Sequence, residues 1–298
     1  MPSPDSLSRP AHPRASAAAR RNAATVAQSA AVGSFATQQA QSDFVRALAK
    51  GLAVIEAFDA RSPSMTLSDV AKKTGLSRGT ARRLLLTLVE LGYAGLDGKR
   101  FSLQPRALNL GFAYLHSRSL WQLGQPYMVE LVERVHESCS IAVLDGSEIV
   151  YVARVPTAAR IMSINLGIGT RLPAFATSMG RVLLAGLAPE EVKRLLEQAS
   201  PLQKYTPKTI SEPGALLREI DLVRRQGWAL VDQELERGLR SIAAPIVDSS
   251  ARVAAALNIG THASRWPIQK LTQEVLPLLK QTAASISGLM GPERPRAA

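Results

Sequence analysis

The chain has 298 residues, long enough for two domains, and its 46% hydrophobic and 20% charged residues mark a soluble globular protein instead of a disordered or fibrous one. A formal charge of +12 favours a polyanionic partner, although the excess is spread along the chain and not gathered in one block. The single cysteine, Cys139, excludes an internal disulfide framework and any cysteine-based zinc or iron–sulfur site. No stretch approaches a membrane span, and the expected setting is a reducing cytoplasm.

Residues 1–42 are rich in Ala, Ser, Arg and Gln with one acid, Asp5, and are expected to be a disordered tail. Arg20-Arg21 lacks the following apolar run that an export signal needs. From Asp43 to Ala60, Val45, Leu48, Leu52, Ile55 and Phe58 recur three or four apart, which predicts a helix packed against the two that follow.

Those two occupy Leu67 to Leu91 and are broken by a sharp turn. The first is expected to begin at Ser68, with Asp69 at the positive end of its dipole. It stops at Gly75, where a left-handed backbone carries no Cβ penalty. Ser77 then caps the second helix. Val70, Ala71 and Leu76 can close a small core with Ala81, Leu84, Leu85, Leu88 and Leu91. The opposite face of the second helix shows Gly79, Arg82, Arg83 and Glu90, flanked by Arg78 and Thr80, with Leu86 near it. Cations and short hydroxyls near a helix N-terminus suit the major groove, where arginine forks onto guanine O6 and N7. Tyr93–Leu96 and Arg100–Leu103 are strand-like runs joined by Asp97-Gly98-Lys99, a hairpin that reads as a wing. Lys99 and Arg100 then sit where a wing meets phosphate. The expected DNA-reading set is Ser77, Arg78, Gly79, Thr80, Arg82, Arg83, Lys99 and Arg100, on a winged helix-turn-helix domain at 43–105.

A linker helix is expected at 106–119, with Leu108, Phe112 and Leu115 in one stripe. Another helix, Leu120 to Ser138, carries Leu123, Tyr127, Leu131 and Val135 and enters an α+β domain at 120–290, followed by a flexible terminus at 291–298. Single-helix DNA readers commonly dimerise, and apolar faces on helices 43–60 and 106–116 are candidate interfaces; packing within one chain is an equally open use for them.

After Ser138 the pattern turns to strands: two runs around Asp145-Gly146 and a third, Arg160–Gly167. Pro173 starts a loop, and Ser178 to Leu187 forms a helix whose N-terminal N–H groups point back towards the strands. Helices at 189–199 and 213–226 follow, then strands at 228–233, 241–247 and 252–260, and a final helix at 268–287.

No enzyme signature emerges. The histidines His12, His116, His136 and His262 are scattered, so no metal or cofactor is assigned, and Gly167-Ile168-Gly169 lacks a dinucleotide-binding context. Asp232, Glu234 and Glu236 form an acidic run read as a polar strand end facing water. Cys139 reads as a small buried residue. A binding pocket is better founded: Ala176, Thr177, Ser178 and Met179 bring backbone donors and hydroxyls to one end of the sheet, a cradle for a carboxylate. Ser241 and Asn258, polar residues within strands, must face solvent or a hydrated cavity. Arg171 stands just before the loop, equally placed to pair with an anion or to be exposed.

The segments ALAKGLAVIEAF, LSDVAKKTGLSRGTARRLLLTLVELGYA, LDGSEIVYVARVP, RLPAFATSMGRVLLAGL and GWALVDQELERGLRSIAAPI together resemble the IclR family of bacterial transcription regulators. The similarity covers residues 43–290 and is nearest the branch regulating protocatechuate, 4-hydroxybenzoate and β-ketoadipate catabolism. The resemblance implies a winged helix-turn-helix, a linker helix and a GAF-like or profilin-like effector domain, assembled as a homodimer or tetramer. Its effector residues, carried over, are Ile161, Ile164, Leu172, Ser178, Met179, Val231, Asp232, Leu239, Ser241, Asn258 and Gly260. Val231, Ser241 and Asn258 differ from the glyoxylate-responsive pattern, so an aromatic acid or its ring-cleavage product is the expected effector. Two other readings are an effector domain that processes small acids, and a DNA-binding protein indifferent to metabolites.

Overall fold

The computed structural model describes residues 44–117, 120–157 and 166–290, and internal contacts divide the chain between Ala113 and Tyr114 into two compact units. The expected 1–42 tail, the 291–298 terminus, and residues 160–165 of the third strand-like run, including Ile161 and Ile164, lie outside the described residues.

The first unit runs α1 (Arg46–Glu56), β1 (Ser64–Thr66), α2 (Leu67–Thr74), α3 (Arg78–Glu90), β2 (Ala94–Asp97) and β3 (Arg100–Leu103). The strands form an antiparallel sheet in the order β1-β3-β2, with Met65 and Leu96 both opposite Phe101. The helix-turn-helix begins earlier than Ser68. Thr66 is the N-cap: its hydroxyl accepts from the Asp69 N–H and the Asp69 carboxylate accepts from the Thr66 N–H, a capping box made where the strand turns into the helix. Gly75 ends α2 at φ 70° and Ser77 caps α3, accepting from the Thr80 N–H. Val54, Met65, Val70, Leu85, Leu88, Ala94 and Phe101 form the core. Each large apolar side chain buried there contributes about 1.5–3 kcal/mol.

The stripe expected to pack α1 is only half right. Ile55 and Phe58 lean on the core, but Val45, Leu48 and Leu52 are exposed, and Val54 and Ala57 are the buried residues. Leu91, at the end of α3, is also exposed.

A 3-10 turn (Pro105–Ala107) leads into α4 (Leu108–Ser117), and α5 (Leu120–Val135) precedes a six-stranded antiparallel sheet. Its strands are β4 (Ser138–Asp145), β5 (Glu148–Val155), β6 (Arg171–Pro173), β7 (Ala229–Asp232), β8 (Leu239–Val247) and β9 (Val253–His262), ordered β6-β5-β4-β9-β8-β7. One face carries Cys139, Ile141, Ile242, Leu257 and Ile259 against Met128, Leu131 and Val135 of α5 and the C-terminal helix. On α5, Leu123 and Tyr127 of the expected stripe face outward. The C-terminal helix enters as one turn (Ile268–Lys270), widens through a π-helical stretch (Leu271–Val275) and continues as α9 (Leu276–Gly288).

The other face is covered by α6 (Ser178–Ala185), α7 (Pro189–Gln198) and α8 (Pro213–Gln226). Ala142, Ala243 and Ala256 line it where the first face has isoleucine and leucine, so α6 lies close and all eight of its residues are buried. A helix sequestered on every side is expected to be apolar all round; Ser178 and Arg181 are the exceptions. Gly180 permits the approach: a Cβ there would stand 2.0 Å from the carbonyl oxygen of Ala174, in the 3-10 turn (Ala174–Ala176) before the helix. At the far end, Arg224 of α8 donates to the carbonyls of Ala185 and Leu187.

Candidate functional site

Two candidate surfaces stand out, one in each unit. On α3, Ser77, Arg78, Gly79, Arg82 and Arg83 are exposed and Thr80 is half-buried, while Ala81, Leu85 and Leu88 hold the opposite side in the core. A Cβ at Gly79 would meet open space, so the first turn presents bare backbone beside the arginines. Lys99 is exposed on the β2–β3 turn, where Gly98 takes φ 56°. Arg100 is exposed but engaged: its guanidinium donates to the hydroxyl and carbonyl of Ser64, bracing the wing against β1. Leu86 stands part-exposed beside the cationic face.

In the second unit the antiparallel register sets polar residues side by side. Arg154, Ser140, Asn258 and Ala243 share one rung across β5, β4, β9 and β8. The next rung on that face holds Ser138, Gly260, Ser241 and Val231. Residues of like parity, Ala142, Ala256, Ala243 and Ala229, belong to the core beneath α6, so both rungs face that helix's side of the sheet. Gly186, just past the C-terminus of α6, meets Val253 at the start of β9. The helix N-terminus therefore lies towards the far end of β9, where Asn258 and Gly260 stand.

Thr177 caps α6, accepting from the Gly180 N–H. Ser178 and Met179 follow, each about 1% exposed. Among the described residues, the hydroxyl of Ser178, the amide oxygen of Asn258 and one carboxylate oxygen of Glu137 are buried without a hydrogen-bond partner. An unmade hydrogen bond on a buried polar atom costs about 1–3 kcal/mol, and no other described residue meets that cost for these atoms. A Cβ on Gly260 would meet open space. Ser241 is 8% exposed, so the polar strand residues face the protein side and not bulk water. Leu172 of β6 pairs with Ile149 of β5, and Leu239 is half-buried at the start of β8.

Asp232 differs in direction from the residues it was grouped with. It follows Val231 on β7 and points to the opposite face, where it pairs with Lys208 and with Arg240 at 2.7 Å. Burial raises its pKa, but hydrogen bonds from Lys208 and Arg240 outweigh that and hold the carboxylate below its usual range. A depressed folded pKa gives stability that is full above the ordinary carboxylate value and lost as pH falls through the folded one. Asp232→Asn is therefore expected to lower stability at neutral pH and to shrink the further loss on acidification; a variant as stable as wild type at pH ~7 that loses as much stability below pH ~4 would contradict this.

Glu234 is likewise not a strand end facing water: it is 6% exposed and bonded to Arg181 at 2.6 Å. Arg171 is tied to Glu148 and Asp145 at the β4–β5 turn. Cys139 is fully buried, which raises its thiol pKa and leaves it unreactive. An open groove of about 450 Å³ lined by Gln122, Gln125, Pro126, Val129, Glu130 and Glu133 belongs to α5 alone, the helix covering the face opposite the polar rungs. Among the described residues, no group of three metal-ligating side chains occurs.

Ser138, Ser140, Tyr151 and Arg154 were not anticipated. Alternation in β4 alone sets Ser138 and Ser140 on one face, a signal readable from sequence. The hydroxyl of Ser138 accepts from the Thr157 N–H. Tyr151 lies in the core on this face, and burial pushes its phenol up to about 12 against the opposing field of Arg154.

A cationic recognition helix with a wing, and a second unit with buried unpaired polar atoms at a helix N-terminus, together define a DNA-binding regulator with a sensory domain. The IclR helix-turn-helix domain matches residues 47–98, and the bacterial transcriptional regulator IclR C-terminal domain matches residues 112–288. The chain belongs to the IclR family of transcription regulators. It is 46% identical over 237 residues to the Pca regulon regulatory protein of Pseudomonas putida, covering 80% of this chain and 81% of that one. A solved transcriptional regulator from Rhodococcus sp. RHA1 is 51% identical, with a TM-score of 0.72 over 83% of this chain and 98% of its own. An IclR homologue from Microbacterium hydrocarbonoxydans, solved in complex with 4-hydroxybenzoate, is 27% identical, with a TM-score of 0.71 over 81% of this chain and 98% of its own.

Proposed function

We propose that this regulator senses an aromatic acid or its ring-cleavage product at the polar end of the six-stranded sheet and controls genes for aromatic-acid catabolism. The observation that carries the reading is that Ser178 Oγ, in the first turn of α6, and Asn258 Oδ1, on the sheet face that α6 covers, are buried and have no hydrogen-bond partner among the described residues. Similarity to the Pca regulon regulator and to a 4-hydroxybenzoate complex supports the ligand class. Ser178, Met179, Val231, Leu239, Ser241, Asn258 and Gly260 line the face, with Leu172 beneath it. The effector acts through differential affinity for two arrangements of the protein, which a few kcal/mol suffices to shift.

The protein works on cytoplasmic DNA as a homo-oligomer. Exposed Phe44, Val45, Leu48 and Leu52 on or just before α1, and Leu108 and Leu110 on α4, supply apolar surface for a second copy. Calorimetric titration of the full chain with 4-hydroxybenzoate, protocatechuate and β-ketoadipate is expected to give saturable heat with at least one, and sedimentation is expected to show a dimer or larger. Absence of binding to all three contradicts the sensor, and a monomer contradicts the assembly.

A further inference from the structure

Arg154 stands out among the deeply set guanidinium groups of the second unit. Arg181 meets Glu234, Arg240 meets Asp232 and Arg224 meets Asp221. Half-buried Arg154 makes one hydrogen bond, from its guanidinium to the hydroxyl of Ser140 at 3.2 Å, and no ion pair among the described residues. Most of its donors are therefore unspent, and a partly desolvated cation without a counter-charge is costly unless an anion answers it. It shares a rung with Ser140 and Asn258, on the face holding Ser138 and Ser241. Two strand spacings, roughly 10 Å, separate its backbone from that of Asn258.

We infer that Arg154 is the anion anchor of the effector face, seating the carboxylate of a small organic acid while Asn258 Oδ1 accepts from a ligand hydroxyl and the Ser178 hydroxyl donates to a ligand hydroxyl or keto oxygen. The assignment rests on the sensor reading above and moves the charged pole from the N-terminus of α6 to β5. A planar guanidinium is suited to this, since it grips a carboxylate through two parallel N–H donors. The N-terminus of α6 then reads the neutral end of the ligand, where the Ser178 hydroxyl stands unpaired.

The test is titration of the full chain, wild type, Arg154→Gln and Arg154→Lys, with 4-hydroxybenzoate, protocatechuate and β-ketoadipate, and with the amide of whichever acid binds. Affinity of Arg154→Gln for the acid is expected to fall roughly ten- to a hundredfold. Arg154→Lys is expected to lie between, and the amide to bind both proteins alike. Melting of each variant without ligand separates lost binding from lost fold, and Arg154→Lys carries the comparison should Arg154→Gln not fold. Equal acid affinity in the variants and wild type, or a loss shared equally by acid and amide, overturns the anchor and leaves the sensor standing. Wild type that binds none of the acids overturns the sensor reading, and the anchor falls with it.

Discussion

Replacing Arg82 and Arg83 together by alanine is expected to weaken operator binding by about 2–6 kcal/mol, between about thirtyfold and twenty-five-thousandfold, if each arginine reads a base. Both are exposed on α3, and neither side chain packs in the core formed by Val54, Leu85 and Leu88. Truncation should therefore leave the fold intact, so the loss can be read as contact energy. A base contact and a phosphate contact part company in their dependence on sequence and salt. Loss of a base contact falls on the operator and spares scrambled duplex, whereas loss of a phosphate contact weakens both and flattens the salt dependence. Binding curves at fixed salt on operator and scrambled duplex make the measurement. Unchanged operator affinity in the double variant rules out this face of α3 as the reader.

Arg181→Met is expected to destabilise the second unit by about 3–5 kcal/mol, because it breaks a buried ion pair and strands its partner. Arg181 is 1% exposed, its Nε donates to the Phe175 carbonyl at 3.0 Å, and its Nη2 donates to Glu234 Oε2 at 2.6 Å. The same Glu234 oxygen accepts from the Ile210 N–H at 2.9 Å, and the Glu234 carbonyl accepts from the Thr209 hydroxyl. One guanidinium thus joins α6, the 3-10 turn before it, the loop before α8 and the β7–β8 connection. Glu219, 3.8 Å away and part-exposed, cannot replace those bonds. Removing both charges, as Arg181→Met with Glu234→Gln, is expected to recover part of the loss, since no carboxylate is then left buried alone. Chemical unfolding of the three proteins decides it. A single variant within about 1 kcal/mol of wild type would show the pair to be dispensable.

Sequence reading succeeds where the cause is local. Gly75 and Ser77 mark the corner between α2 and α3 because a left-handed residue and an N-cap are set by a few neighbouring atoms. Gly98 and Gly146 mark hairpins for the same reason. The cationic face of α3 follows from helical periodicity alone, and Ser178, Ser241 and Asn258 drew notice because polar side chains inside strands or at a helix start require a partner. The cap at Thr66 escaped because it depends on β1 ending there, paired with β3. Which stripe of α1 is buried escaped as well, since all its faces offer apolar residues and only the neighbouring elements choose among them.

The amino-acid sequence alone determined the helix-turn-helix, the cationic face of its second helix and the polar positions within the strands of the second unit, since these rest on periods and caps spanning a few residues. Only the tertiary structure decided which polar groups meet. Register across β5, β4 and β9 brought Arg154, Ser140 and Asn258 into one rung. The pleat turned Asp232 away from Val231 towards Arg240, and Glu234 was buried by Arg181, 53 positions earlier. Strand pairing and ion pairing join residues remote in the chain, and their partners are selected by packing that no local pattern encodes.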